Sequence, residues 1–249
     1  MATGLLPLLF GYATRFAGYV SDADKEYVAT LRLGIRTDSG DITGLVVSEC
    51  EPSVDADQVA QTIAGFVGII SQIPPMHSAL RVNGQRLYRL AHQGISVPRV
   101  PRTVTVHSIE VLGVRLPDID LVVACTKGTY IRTLVEDIGD KLRCGATLTS
   151  LRRTRVGSLT VVGAQNMEVF EEMSQPARMN CLLPPDFAVG GLGEVWISQS
   201  EARGFGHGQA LRVGAAAGLL RVYDIVSGKF LGLGSSGGGG LTPHLVLPQ

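Results

Sequence analysis

Between Lys25 and Leu33 apolar and polar positions alternate, so Tyr27, Ala29, Leu31 and Leu33 share one face. That period predicts a strand. Gly34 to Gly44 is rich in turn formers and predicts a loop, followed by a short strand at Leu45 to Val47. From Val54 to Phe66 the period changes. Val59, Ile63 and Phe66 recur at helical spacing, and Asp55 and Asp57 occupy the first turn, where the helix dipole favours acids. Thr103 to Leu112 and Asp120 to Thr126 read as a strand pair in a hairpin. The best helical stripe follows: Ile131, Leu134, Val135, Ile138 and Leu142 fall at i, i+3, i+4, i+7 and i+11. Gly128 turns the chain ahead of it and Thr129 is placed to cap it. Thr147 to Thr160 is a further strand region, and short helices are expected at Thr14 to Val20 and Met167 to Met173.

Two stretches break these periods. After Pro74–Pro75 comes a basic, amphipathic segment, Arg81 to His92, with Leu87, Leu90 and Ala91 on one side and Pro98 and Pro101 closing it. It predicts an exposed helix on a long loop. Near Leu183–Asp186 the pattern changes again. Short apolar runs separated by glycines (Val195 to Ile197, Leu219 to Ile225, Lys229 to Leu233, Leu245 to Leu247) predict a small all-β module, with Gly234 to Gly240 as a flexible loop inside it. The expected division is therefore residues 1–185 and 186–249.

Composition adds little to the fold. Hydrophobic residues make up 45% and charged residues 18%, enough for a packed core. The four cysteines are widely spaced and form neither a Cys-x-x-Cys pair nor a zinc-type Cys/His set, so they read as reduced thiols of a cytoplasmic protein. Gly4 to Phe10 is too short to span a bilayer, and with Pro7 inside it and no preceding Lys or Arg it makes a poor signal peptide. There is no Gly-rich dinucleotide loop and no metal cluster, so no cofactor and no metal are expected.

Charge changes the picture more. The net formal charge is zero, but it is unevenly placed. The nine acids of the first quarter lie between Asp22 and Asp57, and Gln58 to Ile109 holds five arginines (Arg81, Arg86, Arg89, Arg99, Arg102) and no acid. Lys141 to Met167 is also acid-free and carries Lys141, Arg143, Arg152, Arg153 and Arg155. Such stretches form a phosphate-binding footprint if they converge, or pair with acids elsewhere if they scatter. Charge alone leaves the two readings even.

No single residue decides between them. Tyr27 on a strand reads first as core, as does Leu151. Arg132 stands four residues before Glu136 and reads first as half of a surface pair on one helix. His77 and His92 read as solvated residues of a basic loop.

The combination is specific. Ala2-Thr-Gly-Leu-Leu-Pro7, Asp24-Lys-Glu-Tyr27 with Leu33-Gly34 and Arg36-Thr-Asp38, Gln72-Ile-Pro-Pro-Met-His-Ser-Ala-Leu-Arg81, Gly84 with Tyr88, Lys127-Gly-Thr-Tyr-Ile-Arg-Thr133, and Leu151-Arg-Arg153 stand in a fixed order. In order and spacing they resemble the TruB-type tRNA pseudouridine synthases, which modify uridine 55 in the TΨC arm. The resemblance runs from Ala2 to about Gly157 and weakens beyond it.

It implies an α+β fold: a pseudouridine synthase domain with a central mixed, mostly antiparallel sheet flanked by helices, and a small C-terminal all-β module like the RNA-binding PUA domain. It implies catalytic roles for Tyr27 and Arg132, and a base pocket of Tyr27, Tyr130 and Leu151. Arg81, Arg86, Arg89, His92, Lys127, Arg152 and Arg153 become RNA contacts, with His92 standing where arginine is usual. The implied partner is the T-arm of tRNA, with no membrane association, and family precedent favours a monomer.

One departure matters. The family's nucleophilic Asp lies in a Gly-x-Leu-Asp-Pro-Leu segment directly before the Ala-Thr-Gly block, and here Met1 stands where that segment's last Leu would be. Three explanations fit: a misplaced start codon, a truncation, or a non-catalytic paralogue. The intact remaining motifs favour the first. The chain as given is expected to be inactive, and the alternative reading is a non-catalytic RNA-binding or RNA-folding module. Loss of N-terminal strands would also leave a sheet edge unpaired. A poorly soluble or unstable product is therefore expected, and a cooperative melt at ordinary mesophilic temperature would contradict it.

Overall fold

The structure, a computed structural model, describes residues 2–248. Met1, to which the expectation about the missing segment attaches, lies outside the described residues. In chain order the strands and α-helices are β1 (Thr3–Gly4), α1 (Ala17–Asp22), β2 (Lys25–Leu33), β3 (Ile35–Thr37), β4 (Val46–Glu49), α2 (Ala56–Ala64), β5 (Gly68–Gln72), β6 (Arg81–Val82), β7 (Gln85–Arg86), α3 (Leu87–His92), β8 (Arg102–Arg115), β9 (Asp118–Cys125), α4 (Ile131–Lys141), β10 (Ala146–Val156), β11 (Leu159–Thr160), α5 (Met167–Glu172), α6 (Gln175–Asn180), β12 (Gly193–Ile197), α7 (Gln199–Gly206), β13 (Gly218–Asp224), β14 (Phe230–Gly237) and β15 (Gly240–Val246). The chain forms two compact units. One is Met1–Leu5 with Asp22–Val156; the other is Leu6–Ser21 with Gly157–Gln249. The second unit thus gathers residues on both sides of position 186.

In the first unit the sheet runs β1-β10-β2-β9-β8-β5. β1 pairs parallel with β10, and the other pairings along this path are antiparallel. This is the mixed, mostly antiparallel sheet that the resemblance implies. β2 keeps its expected bounds, and Ala29, Leu31 and Leu33 face the core with Tyr27 packed against it. The stripe of α4 covers that face: Ile131, Leu134, Val135 and Ile138 are buried, and Leu142 packs at the margin. Thr129 does not cap the helix. Its hydroxyl donates to the Thr126 carbonyl, and Tyr130 is the N-cap. α2 adds Val59 and Ile63 to the core. Its capping box joins Asp55 and Gln58: each side chain accepts from the other's backbone N–H.

In the first unit three elements differ from the sequence expectation. Gly34 to Gly44 is not all loop, since β3 pairs with β4. Gly68–Gln72 forms β5, an edge strand with no clear alternation to reveal it. Arg81 to Arg86 is not helical. It forms a hairpin, β6–β7, turned by Asn83 and Gly84 at positive φ, and only Leu87–His92 is helix. Asn-Gly suits a two-residue turn of this kind because both positions tolerate positive φ.

The second unit contains a four-stranded sheet, β12-β13-β14-β15. One core gathers Val195, Ile197, Leu220, Val222 and Leu231 with Ala202 and Phe205 of α7, and a second gathers Phe16, Val189, Leu233 and Leu247. The expected flexible loop at Gly234 to Gly240 is instead the end of β14, the turn Gly238–Gly239 and the start of β15. Gly234 is a packing residue: a Cβ there would meet Leu241 Cδ1 at 2.7 Å.

Gly139 lets α4 sit close to β10. A Cβ there would stand 2.2 Å from the Ala146 amide nitrogen, while the Gly139 carbonyl accepts from Cys144 and Gly145 as the chain turns into β10. The obstructing atoms are backbone and cannot rotate away. Gly139→Ala is expected to cost about 1–3 kcal/mol by overpacking, measured by urea unfolding. A loss under about 0.5 kcal/mol, the scale of an ordinary surface substitution, would contradict this packing account.

Candidate active site

The guanidinium of Arg132, one residue inside α4, is held by acceptors on two other segments. Its Nη2 donates to the His77 carbonyl at 2.7 Å, and its Nη1 donates to Asp41 Oδ2 at 3.3 Å and the Ser39 carbonyl at 3.4 Å. Both side chains of the ion pair are about one-fifth exposed (23% for Arg132, 19% for Asp41), so solvent screens it less than an open surface pair. The expected Arg132–Glu136 surface pair does not form. The fork of the guanidinium reaches the loop after β3 instead, while the Glu136 carboxyl packs against Gly40, where a Cβ would stand 3.0 Å from Oε1.

The loop that carries Asp41 is fixed by its neighbours. Leu148 N–H donates to the Gly40 carbonyl, Ile42 N–H donates to the Leu148 carbonyl, and the Thr37 hydroxyl donates to the Asp41 carbonyl. The Asp41 carboxylate accepts from the Thr43 amide and hydroxyl and from Ser39. Burial pushes the Asp41 pKa up, but the Thr43 hydrogen bonds, Arg132 and Ser39 outweigh it and hold the carboxyl below its usual range. Glu136 goes the other way: burial, then the neighbouring Asp137, raise it, against Arg132, Arg36 and Arg99.

Tyr27 and Leu151 lie on adjacent strands, β2 and β10, and both pack against the core that α4 covers. Burial and then Cys125 raise the Tyr27 phenol, which Arg153 opposes by charge and hydrogen bonding. Arg153 is the register partner of Tyr27, and its Nε donates to the Leu5 carbonyl at 2.7 Å. β1 lies directly outside it, with Thr3 opposite Arg152 and Gly4 opposite Arg153. Tyr130 is held by its backbone at the head of α4, where Gln72 bonds both its N–H and its carbonyl.

The remaining expected RNA contacts are dispersed. Arg81, Arg86 and Arg89, with Gly84, Gln85, Tyr88 and Gln93, line an open cleft of about 580 Å³. Arg89 lowers the Tyr88 phenol pKa by hydrogen bonding, only partly opposed by burial. His92 is exposed, with its ring edge-on to His77 and Tyr88. Lys127 is exposed but ion-paired with Asp22 at 2.9 Å, and Arg152 is exposed on β10. Sequence reasoning missed Asp41, and it met Gln72 only as the first residue of a motif block, with no role assigned. Asp41 sits in a turn-rich run where an acid needs no further explanation, and its partner lies 91 residues away.

Comparison with known proteins identifies the family. Three family models match in succession: TruB family pseudouridylate synthase (N terminal domain) over residues 1–131, tRNA pseudouridylate synthase B C-terminal domain over 132–189, and Pseudouridine synthase II TruB, C-terminal over 193–247. The chain is 46% identical over 242 residues to tRNA pseudouridine synthase B of Dechloromonas aromatica, covering 97% of this chain and 80% of the relative. It is 45% identical over 261 residues to the protein of that name from Ralstonia pickettii, covering 99% and 82%. Among solved structures it resembles a chain of a Cbf5-Nop10-Gar1 complex, with a TM-score of 0.71, 25% identity, and coverage of 98% of this chain and 73% of that one.

The two carboxyls predict opposite pH behaviour. Because the Asp41 pKa is depressed by folding, its stabilisation is present above the unfolded value of ~3.9 and lost as pH falls through the folded value. Asp41→Asn should therefore lower stability at pH 7, with the deficit shrinking as the pH falls below the unfolded value. Because the Glu136 pKa is raised, ionised Glu136 costs stability as pH climbs above about 4.3. Glu136→Gln should raise the melting temperature near pH 8 and leave it unchanged near pH 4. Thermal melts across that range check both, and equal shifts at all pH values would contradict them.

Proposed function

This chain belongs to the TruB family of pseudouridine synthases, and we propose that it isomerises uridine 55 in the TΨC arm of tRNA to pseudouridine. The observation that carries this reading is the Arg132 guanidinium, held by Asp41 and His77 on the α4 side of a sheet whose same face presents Tyr27 and Leu151. The reaction breaks the C1′–N1 bond, turns the base, and forms C1′–C5. The C5 proton leaves and N1 ends protonated, so the atoms balance without redox chemistry, a cofactor or a metal.

A carboxylate near C1′ is needed, as nucleophile or as base at C2′. Arg132 would keep it ionised and oriented through a bidentate contact. The resemblance places the family's Asp ahead of the Ala2-Thr-Gly block, before the first residue of the sequence given. β1 runs parallel to β10, so chain preceding Thr3 would continue from Arg152 toward Leu151 and Leu148, the strand segment that anchors the Asp41 loop. A carboxylate supplied there would enter near Arg132.

Tyr27, a neutral phenol whose pKa burial raises further, would lie against the extruded uracil and relay a proton. Leu151 and Tyr130 would line the pocket and replace the stacking the base gives up. Arg81, Arg86 and Arg89 would hold T-arm phosphates along their cleft, with His92, Lys127, Arg152 and Arg153 as further contacts. The protein would act as a monomer in the cytoplasm. Among the described residues no helix is long and apolar enough to cross a membrane.

A second reading is an RNA-binding module without turnover. Tritium release from a 5-tritiated T-arm minihelix separates the two. The 249-residue chain should bind and release nothing, and the same chain preceded by a Gly-x-Leu-Asp-Pro-Leu segment should release tritium. Failure of the extended chain to turn over would favour the second reading.

In the extended chain, Tyr27→Phe or Arg132→Ala should abolish turnover with less than about threefold loss of RNA affinity, since phosphate contacts set affinity. Normal turnover after Arg132→Ala would remove its assigned role. Replacing Arg81, Arg86 and Arg89 together by Ala should reduce the salt dependence of binding by roughly two to three charges. An unchanged slope would place the phosphates elsewhere.

A further inference from the structure

Gln72 and Arg102 are register partners at the end of the β5–β8 pairing, so residues 73–101 form one closed excursion from the sheet. This excursion carries the arginine cleft. Hydrogen bonds lead from the cleft back to its foot: Leu87 N–H donates to the Leu80 carbonyl and Tyr88 N–H to the Ser78 carbonyl. The next residue, His77, accepts from Arg132. Arg99 Nη1 donates to the Pro74 carbonyl at 3.1 Å, which ties the returning leg to the outgoing one.

At the foot stands Gln72, 1% exposed. Its Oε1 accepts from Tyr130 N–H at 3.0 Å and its Nε2 donates to the Tyr130 carbonyl at 3.2 Å. That carbonyl also accepts from Leu134 N–H, the first bond of the helix. A fully buried amide must be satisfied, and here both ends are spent on one residue, the N-cap of α4, which has no side-chain cap of its own. An apolar side chain would fill the same space without either bond, so the choice of glutamine fixes the register between the excursion and α4.

We propose that Gln72 is a positioning residue that locks the foot of the excursion to the head of α4, so that RNA seated on Arg81, Arg86 and Arg89 orders the segment carrying Arg132. This rests on the reading of the excursion as an RNA-binding surface. Two ties join the same pair of elements, Gln72 to Tyr130 and His77 to Arg132. Stiffening the excursion therefore limits the freedom of α4's first turn. With Gln72 cut, the hydrogen bond from the guanidinium to His77 and the charge interaction of Arg99 with Glu136 would remain, and neither holds the N-cap residue itself.

Hydrogen exchange followed by mass spectrometry on the 249-residue chain, with and without a T-arm stem-loop, tests this. In the parent, RNA should slow exchange by at least about fivefold both in residues 81–93 and in residues 129–135, as expected when a local opening is suppressed. Gln72→Met should keep RNA affinity within about threefold and keep the protection of 81–93, but lose that of 129–135. Gln72→Glu, which retains the acceptor for Tyr130 N–H, should recover part of it. A merely structural role would raise exchange in 129–135 equally with and without RNA. That result, or protection of 129–135 in Gln72→Met equal to the parent's, overturns the proposal. A parent that binds RNA yet shows no change in 129–135 also overturns it, whether or not the variants fold. A parent that does not bind the stem-loop overturns the functional reading itself and the coupling with it.

Discussion

A guanidinium taken largely out of water must find its partners inside the protein, and the first unit is arranged around that demand at Arg132. Leaving a buried charge uncompensated costs several kcal/mol. Three segments meet the demand: the loop 38–44 through Asp41 and Ser39, the outgoing leg of the excursion through His77, and α4, which carries the arginine. The loop reaches the site because Leu148 bonds both Gly40 and Ile42, and the excursion reaches it because β5 ends beside Tyr130. The same constraint leaves a preorganised, permanently charged fork on the side of the sheet that Tyr27 and Leu151 share.

Electrostatics separates this centre from the surface that would grip RNA. Over the whole chain the charges cancel, and at the centre they cancel too, with Arg132 against Asp41. In the excursion they do not. The arginines of its cleft protrude from a hairpin and a short helix, and the stretch from Gln58 to Ile109 holds no acid to pair with them. Under the proposed function, long-range attraction and local chemistry would sit on different elements, which makes zero net charge compatible with a polyanionic substrate.

What was legible in the sequence follows from the range of the interactions involved. β2 and α4 declared themselves because each buries one face and the binary pattern records it within a dozen residues. Tyr27, Tyr130, Arg132 and Leu151 were singled out only through the ordered motifs; taken singly, Tyr27, Arg132 and Leu151 each had a bland reading. Asp41 and Gln72 stayed hidden because their partners lie 91 and 58 residues away, and neither residue type is unusual in its local setting. Gly234 to Gly237 misled for another reason. A glycine that admits a close neighbour and a glycine that frees a loop look alike in sequence, and here Leu241 occupies the space that a Cβ would take. The Asn83-Gly84 turn, by contrast, had a local signal that a helical reading of Arg81 to His92 passed over.

The central claim is that Arg132, anchored by Asp41, marks the place where a uridine leaves its helix. The most direct measurement is an experimental structure of this chain bound to a T-arm stem-loop. The account predicts one uridine turned out of the stack, its ring against Tyr27 and Leu151, with the Arg132–Asp41 pair intact beside its sugar. A complex with every base stacked, or with the extruded base docked away from those three side chains, would contradict it.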